Sequence, residues 1–241
     1  AKSSVLKSNA SSFLGAGSEG VRTALEWLLL TCAAKPEMQS RIQAEIDAVM
    51  ERKGASGGSC VSWRDRGLMP YTQAFIWESA RYNPANPLGV MRCASEDVKI
   101  GGYLIPQGSV VVTSLWSVHH DASFWGDPEV FRPERFLSDN STRASKLERL
   151  MPFSYGKRSC PGEGIANVET FIFFTTILRH FTVEPPPGVR DLSFEEKLGI
   201  SLRPKPQKLV FRPRKIFSRP NCVPHQENDR LTDECTVSYQ Q

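Results

Sequence analysis

No apolar run of about eighteen residues occurs in this 241-residue sequence, so no segment is expected to cross a bilayer as a helix. No C-x-x-C pair occurs among its six cysteines (Cys32, Cys60, Cys93, Cys160, Cys222, Cys235), which removes a zinc ribbon. Their wide separation removes a dense disulfide framework and favours a reducing compartment. Cys32 and Cys93 fall inside apolar patterns and are expected as small buried hydrophobes. Histidine is scarce at four, and the adjacent pair His119–His120 cannot share one helix or strand face; these read as surface or packing residues rather than metal ligands. Charge of one sign is also scarce: the net +4 is too small to call for nucleic acid or an anionic membrane. The first twelve residues lack an initiator Met and a signal peptide's apolar region, and read as a chain that begins midway.

What is present fits a globular chain, with 40% apolar and 23% charged residues. Phe13 to Ala34 reads as a helix interrupted by small residues, and Pro36 opens a second through Met50, with Met38, Ile42, Ile46 and Val49 at the helical interval. A third, near Tyr71 to Tyr82, stops before Asn83-Pro84 because the residue before proline avoids helical angles. Val98–Ile100, Tyr103–Ile105 and Val110–Val112, separated by Gly101-Gly102 and Pro106-Gln-Gly108, predict a small antiparallel sheet. After Cys160 a fourth helix carries Ile165, Val168, Phe171, Ile172, Phe174, Leu178 and Phe181, a broad apolar face expected to be deeply buried. The fold class expected is mainly α with a small β portion.

Cys160 sits in Pro152-Phe-Ser-Tyr-Gly-Lys-Arg-Ser-Cys160-Pro-Gly-Glu-Gly164, among glycines and beside two cations. Pro161 suits a first helical position, which places the thiol at or beside the N-cap of the fourth helix. The positive helix end, Lys157 and Arg158 favour a sulfur anion there, either as a nucleophile or as a metal ligand. No recognisable arrangement supplies a histidine base, and a lone ligand needs a metal already held by something else. Haem iron meets that condition, because the porphyrin supplies four nitrogens and leaves one axial position to the sulfur. Gly156 and Gly162 would let backbone approach a flat macrocycle, and Arg158 could pair with a propionate.

Phe153-Ser-Tyr-Gly156-Lys-Arg158-Ser-Cys160-Pro-Gly162 resembles the F-x-x-G-x-R-x-C-x-G haem loop of the cytochrome P-450 superfamily, the haem-thiolate monooxygenases. Glu78-Ser-Ala-Arg81 matches that family's E-x-x-R, and Phe131-Arg-Pro-Glu-Arg135-Phe136 its F-x-P-x-R-F, in the family's order. The resemblance implies haem b (iron protoporphyrin IX) held by Cys160, and a structural triad of Glu78, Arg81 and Arg135 supporting the haem loop. It also implies a lipophilic small-molecule substrate and an NADPH-dependent flavoprotein reductase as electron donor. The location implied is the cytoplasmic face of the endoplasmic reticulum membrane, reached through an N-terminal anchor that full-length relatives carry and this chain lacks. Covering Phe13 to about Arg214, the likeness is to microsomal animal members and to the second half of the family fold only. Residues 1–216 are therefore expected as a partial haem domain and 217–241 as a flexible polar tail.

Ala16-Gly-Ser-Glu19-Gly20-Val resembles the family's oxygen-binding helix, with Gly20 where a threonine is usual. By that resemblance Glu19 is the proton-relay acid and its alcohol partner is missing; Ser18 and Thr23 are not assumed to replace it. Gly15-Ala-Gly17-Ser-Glu-Gly20 is also G-x-G-x-x-G, but no strand precedes it and no βαβ alternation follows, which excludes a dinucleotide fold. Arg92 reads either as a propionate contact or as a surface strand cation, and Phe153 as a shield for the sulfur or a core aromatic. Phe13, Leu14, Ala16, Asn86 to Val90 and Gly199 to Ser201 correspond to substrate-facing segments. Arg203 to Arg219 holds seven basic residues and no acidic one, read as a solvated terminal strand or as a docking aid for an acidic redox partner. Three functions stay open: a monooxygenase, a haem-thiolate isomerase or peroxide-using enzyme, and a noncatalytic chain.

Overall fold

The computed structural model describes residues 2–54, 60–138, 141–199, 201–214 and 235–238. Helix α1 spans Lys2–Ala34, beginning well before Phe13. Nothing in the polar stretch ahead of Phe13 is a proline or glycine that would stop a helix, and residues 4–18 are exposed, so this half holds without core packing. Gly15, Gly17 and Gly20 do not break it; each costs only about 1 kcal/mol relative to alanine. The G-x-G-x-x-G run therefore lies inside a helix, not on a strand-to-helix turn.

Helix α2 (Pro36–Lys53) starts on a proline at its first turn and buries Ile42, Ile46 and Val49. A 3-10 turn at Trp63–Leu68 follows, closed by a capping box in which Ser62 and Asp65 exchange bonds. Helix α3 (Pro70–Tyr82) also starts on proline. Its free N-terminal groups are satisfied from the neighbouring helix: Glu45 of α2 accepts the backbone N–H of Tyr71 and of Thr72, each at 2.8 Å.

Strands β1 (Arg92–Cys93), β2 (Val98–Ile100), β3 (Tyr103–Ile105) and β4 (Val110–Val111) form two ribbons, β1–β4 and β2–β3, rather than the single sheet expected. The bonds Ala94 N–H to Ser109 O (2.9 Å) and Gly108 N–H to Ala94 O (2.8 Å) draw β4 onto β1, outside the hairpin. Cys93 is exposed, contrary to expectation, because a two-residue ribbon gives it no covered face; Cys32, in α1, is fully buried as expected.

Short helices α4 (Leu115–His119) and α5 (Ala122–Trp125) and a 3-10 turn at Pro133–Phe136 lead to the cysteine loop. Helix α6 then runs Glu163–His180. Only its C-terminal half is core: Phe171, Phe174 and Leu178 are buried, whereas Ile165 is 67% exposed and Val168 and Ile172 are half-buried. Phe181, expected to close the helix, opens strand β5 (Phe181–Glu184). Strands β6 (Glu196–Leu198) and β7 (Leu202–Pro204) pair with each other, and β8 (Lys208–Pro213) lies between β5 and β9 (Cys235–Ser238), all antiparallel. Most of the expected tail, 217–241, lies outside the described residues; within it Cys235–Ser238 adds the edge strand β9.

One core joins α1, α2, α3, α6, β5 and β8 through Trp27, Ile42, Phe75, Phe174, Val183 and Leu209. Phe75 stacks on Phe174 with ring centroids 5.8 Å apart, and the Trp27 indole donates to the Leu202 carbonyl at 2.9 Å, pinning α1 to β7.

Candidate functional site

A buried charge cluster joins α3 to the 3-10 turn at Pro133–Phe136, ahead of the cysteine loop. Arg81 and Glu78, each with a fully buried side chain, form a bidentate pair: Nε donates to Oε2 and Nη2 to Oε1, both at 2.8 Å. Oε1 also accepts from Arg135 Nε at 3.1 Å and from the Arg132 backbone N–H at 2.8 Å. The guanidinium groups spend their remaining donors on carbonyls: Arg81 on His119 O and Pro128 O (2.9 Å each), Arg135 on Trp125 O and Val130 O (3.0 Å each). The E-x-x-R and F-x-P-x-R-F segments, 54 to 57 residues apart in sequence, are thereby locked together, as expected of Glu78, Arg81 and Arg135.

The cysteine loop is shaped by hydrogen bonds and two left-handed residues. Ser154 (φ 64°) and Gly156 (φ 80°) turn the chain, the first a conformation that a side chain disfavours, the second one that glycine adopts freely. Cys160 N–H then bonds back to Phe153 O at 2.9 Å, and a 3-10 turn at Gly156–Arg158 lies between them. Cys160 is not at the helix N-cap, which is Gly162, and Pro161 is not in the helix. The return bond to Phe153 holds the cysteine in the loop, and α6 begins only at Glu163. The thiol is exposed, and a Cβ placed on Gly162 would stand 3.7 Å from its sulfur, so the glycine keeps the ground beside the sulfur open. Arg92 of β1 donates to the backbone carbonyl of Arg158 at 3.1 Å, bringing its guanidinium to the loop's flank. Phe153 is half-buried.

The cytochrome P450 family profile matches residues 2–211. Cytochrome P450 2J2 of Homo sapiens is 39% identical over 198 residues, 82% of this chain and 38% of that protein. Cytochrome P450 2J5 of Mus musculus is 40% identical over 202 residues, 84% of this chain and 38% of that protein. The steroid 17-alpha-hydroxylase/17,20 lyase of Ictalurus punctatus is 38% identical over 200 residues, 82% of this chain and again 38% of that protein.

This chain belongs to the cytochrome P450 family. The chain spans about 38% of the length of these relatives. Members of the family bind haem b, and the residues present fit that group: one exposed thiol at a loop end, open ground over Gly156 and Gly162, and two arginines alongside. Glu19 is half-buried in α1, with its carboxylate 3.5 Å from Arg203 of β7. Gly20 faces open space, a Cβ there meeting nothing within 4 Å. Neither neighbouring hydroxyl stands in for it: Ser18 Oγ donates to Leu14 O at 2.5 Å, and Thr23 is buried towards the core. Phe13 and Leu14 are exposed, Ser201 is buried, and residue 200 lies outside the described residues.

Two residues named in the sequence take roles there that their contacts reveal. Arg203 belongs to a basic stretch read as solvated or partner-facing, but it pairs with Glu19, Lys205 with Glu195, Arg212 with Glu184 and Arg214 with Asp47. His119, taken with His120 as surface or packing, is fully buried and accepts the Met151 backbone N–H through Nε2 at 3.1 Å. No local sequence signal marks either, since each partner lies far along the chain. Two surface cavities, one lined by Arg22, Glu26 and Lys197 and one by Arg66, Trp77 and Arg143, do not include the Cys160 loop.

Proposed function

We propose that this chain is the haem-binding portion of a haem-thiolate monooxygenase. It would insert one oxygen atom of O2 into a lipophilic small molecule, with electrons from NADPH passed on by a flavoprotein reductase. The observation that carries this reading is the exposed Cys160 thiol, on a loop whose entry at Met151 is tied through His119 to the buried Glu78–Arg81–Arg135 cluster. Bound haem supplies the oxygen chemistry. Cys160 would hold the haem iron through its sulfur, and Arg92 and Arg158 would offset propionate charge. Phe153, half-buried in the loop, would shield the sulfur once haem is bound. Glu19 holds a carboxylate on α1 as the proton-relay group, with Arg203 fixing its direction. The relatives' microsomal character supports a site at the cytoplasmic face of the endoplasmic reticulum membrane; no helix among the described residues is long and apolar enough to cross a membrane.

A second reading, a peroxide-using enzyme or an isomerase, is favoured by Gly20. Nothing packs where a side chain would go, so space does not explain the glycine, and the relay has no hydroxyl beside Glu19. Both readings are separated by turnover of the haem-reconstituted chain on a lipophilic probe, with product compared against NADPH consumed. The monooxygenase reading expects product with reductase and NADPH, poorly coupled in the parent and better coupled in Gly20→Thr. Product from a hydroperoxide but none with reductase selects the second reading. Failure to bind stoichiometric haem contradicts both and leaves a noncatalytic chain.

A further inference from the structure

His119 is the last residue of α4 and has no exposed surface, yet it takes part in two separate connections. Its backbone carbonyl accepts from Arg81 Nη1 at 2.9 Å, which ties it to the buried charge cluster. Its ring Nε2 accepts the Met151 N–H at 3.1 Å, which ties it to the entry of the cysteine loop. Met151 passes the connection on: its carbonyl accepts the N–H of left-handed Ser154 at 2.9 Å, and the Phe153 carbonyl between them accepts the Cys160 N–H at 2.9 Å. Because Nε2 is an acceptor, the ring proton sits on Nδ1, which has no hydrogen-bond partner among the described residues. The ring is oriented, then, by the one bond to Met151. Its neutrality is secured by burial first, and by the adjacent His120 and Arg81 charges, which together lower its pKa to about 4.

We propose that His119 is a positioning residue for the Cys160 loop: its imidazole anchors Met151 and so holds the Met151–Ser154 turn that sets where the sulfur stands. The inference rests on Cys160 being the haem ligand. Without the anchor, the half-buried Met151 N–H loses its partner, and the disfavoured φ at Ser154 loses the support that keeps it in place. Gln at this position still offers an acceptor oxygen, whereas Leu fills a similar volume with none.

The test is amide hydrogen exchange on the full chain, followed by the reduced, carbon-monoxide spectrum after addition of iron protoporphyrin IX. In the parent chain the Met151 amide is expected to be protected. In His119→Leu, Met151 and Ser154 exchange about tenfold faster, the effect of losing roughly one hydrogen bond, while Leu178 in the core is unchanged. The fraction of haem showing the thiolate band falls by a similar factor, and His119→Gln restores both readouts. An unprotected Met151 amide in the parent overturns the inference, as does unchanged exchange in the Leu variant. If the Leu variant also loses protection at Leu178, the Gln variant decides: parent-like exchange and spectrum support the anchor, and Leu-like behaviour refutes it. A thiolate band that survives Cys160→Ala contradicts the ligand reading alone and leaves the exchange result at Met151 standing.

Discussion

Glu78 shows how a single buried carboxylate can organise a site. Four donors converge on it, two from Arg81 and one each from Arg135 and the Arg132 backbone, and its side chain sees no solvent. Such a cluster adds little as a pair, since burial costs both charges their hydration, but removing one partner leaves the others uncompensated. Glu78→Gln is therefore expected to destabilise the chain by about 3–5 kcal/mol in urea unfolding, and a loss below about 1 kcal/mol contradicts the account. His119 supplies a pH dependence whose sign follows from its lowered pKa. The unfolded ring protonates near its ordinary 6.5 and the folded ring only near about 4, so its contribution is intact above 6.5 and disappears as the pH falls to about 4. On the order of 3 kcal/mol is involved, set by burial, His120 and Arg81. Measured against His119→Gln, the parent's stability advantage should shrink through that window; a constant difference would contradict it. At this scale motif spacing pointed to Glu78, Arg81 and Arg135, whose side chains the structure joins. The sequence was not legible where a role depends on a distant backbone group, as at His119 and Arg203, and it misplaced Cys160 relative to the helix because the return bond to Phe153 has no local signature.

Helix α6 shows both what an apolar pattern conveys and what it omits. Periodicity identified the helix correctly, but its apolar residues run nearly all the way round, and the pattern alone does not say which half has neighbours. The C-terminal half packs on α1, α2 and β5, with Phe174 fully buried, whereas Ile165 lies one residue beyond Gly164 at the exposed end. Phe174→Ala is expected to cost about 3–5 kcal/mol and Ile165→Gln less than about 0.5 kcal/mol in chemical denaturation. Equal costs would show the two halves to be packed alike. Helix α1 divides the same way, since Trp27 to Leu30 are core while Phe13 and Leu14 are exposed. Its start was missed because a run of Ser, Ala, Asn and Lys looks like a loop by composition and yet contains nothing that ends a helix. The two ribbons β1–β4 and β2–β3 were anticipated as one sheet because turn residues fix neighbours in sequence and not the longer return of β4 to β1.

Across the whole molecule, one core ties the second half of α1 to α2, α3, α6, β5 and β8, which predicts that these elements unfold together. Far-ultraviolet and tryptophan signals should report coincident transitions. The same molecule exposes Val5, Leu6, Phe13 and Leu14 along α1 and Leu88, Val90 and Met91 near the site, more apolar surface than an isolated chain ordinarily leaves to water. Self-association that rises with concentration is expected in sedimentation, and Phe13→Gln with Leu14→Gln should reduce it; a strictly monomeric parent contradicts this. The central claim concerns neither surface nor core but the sulfur of Cys160 and the iron it is proposed to hold. Its most direct test is the absorption spectrum of the reduced, carbon-monoxide-bound chain, reconstituted with iron protoporphyrin IX, beside that of Cys160→Ala. The account predicts a main haem band shifted to the red in the parent and absent from the variant, with the α3 and α6 amides equally protected in both. An unshifted band in the parent, or the same red-shifted band in both chains, would contradict it.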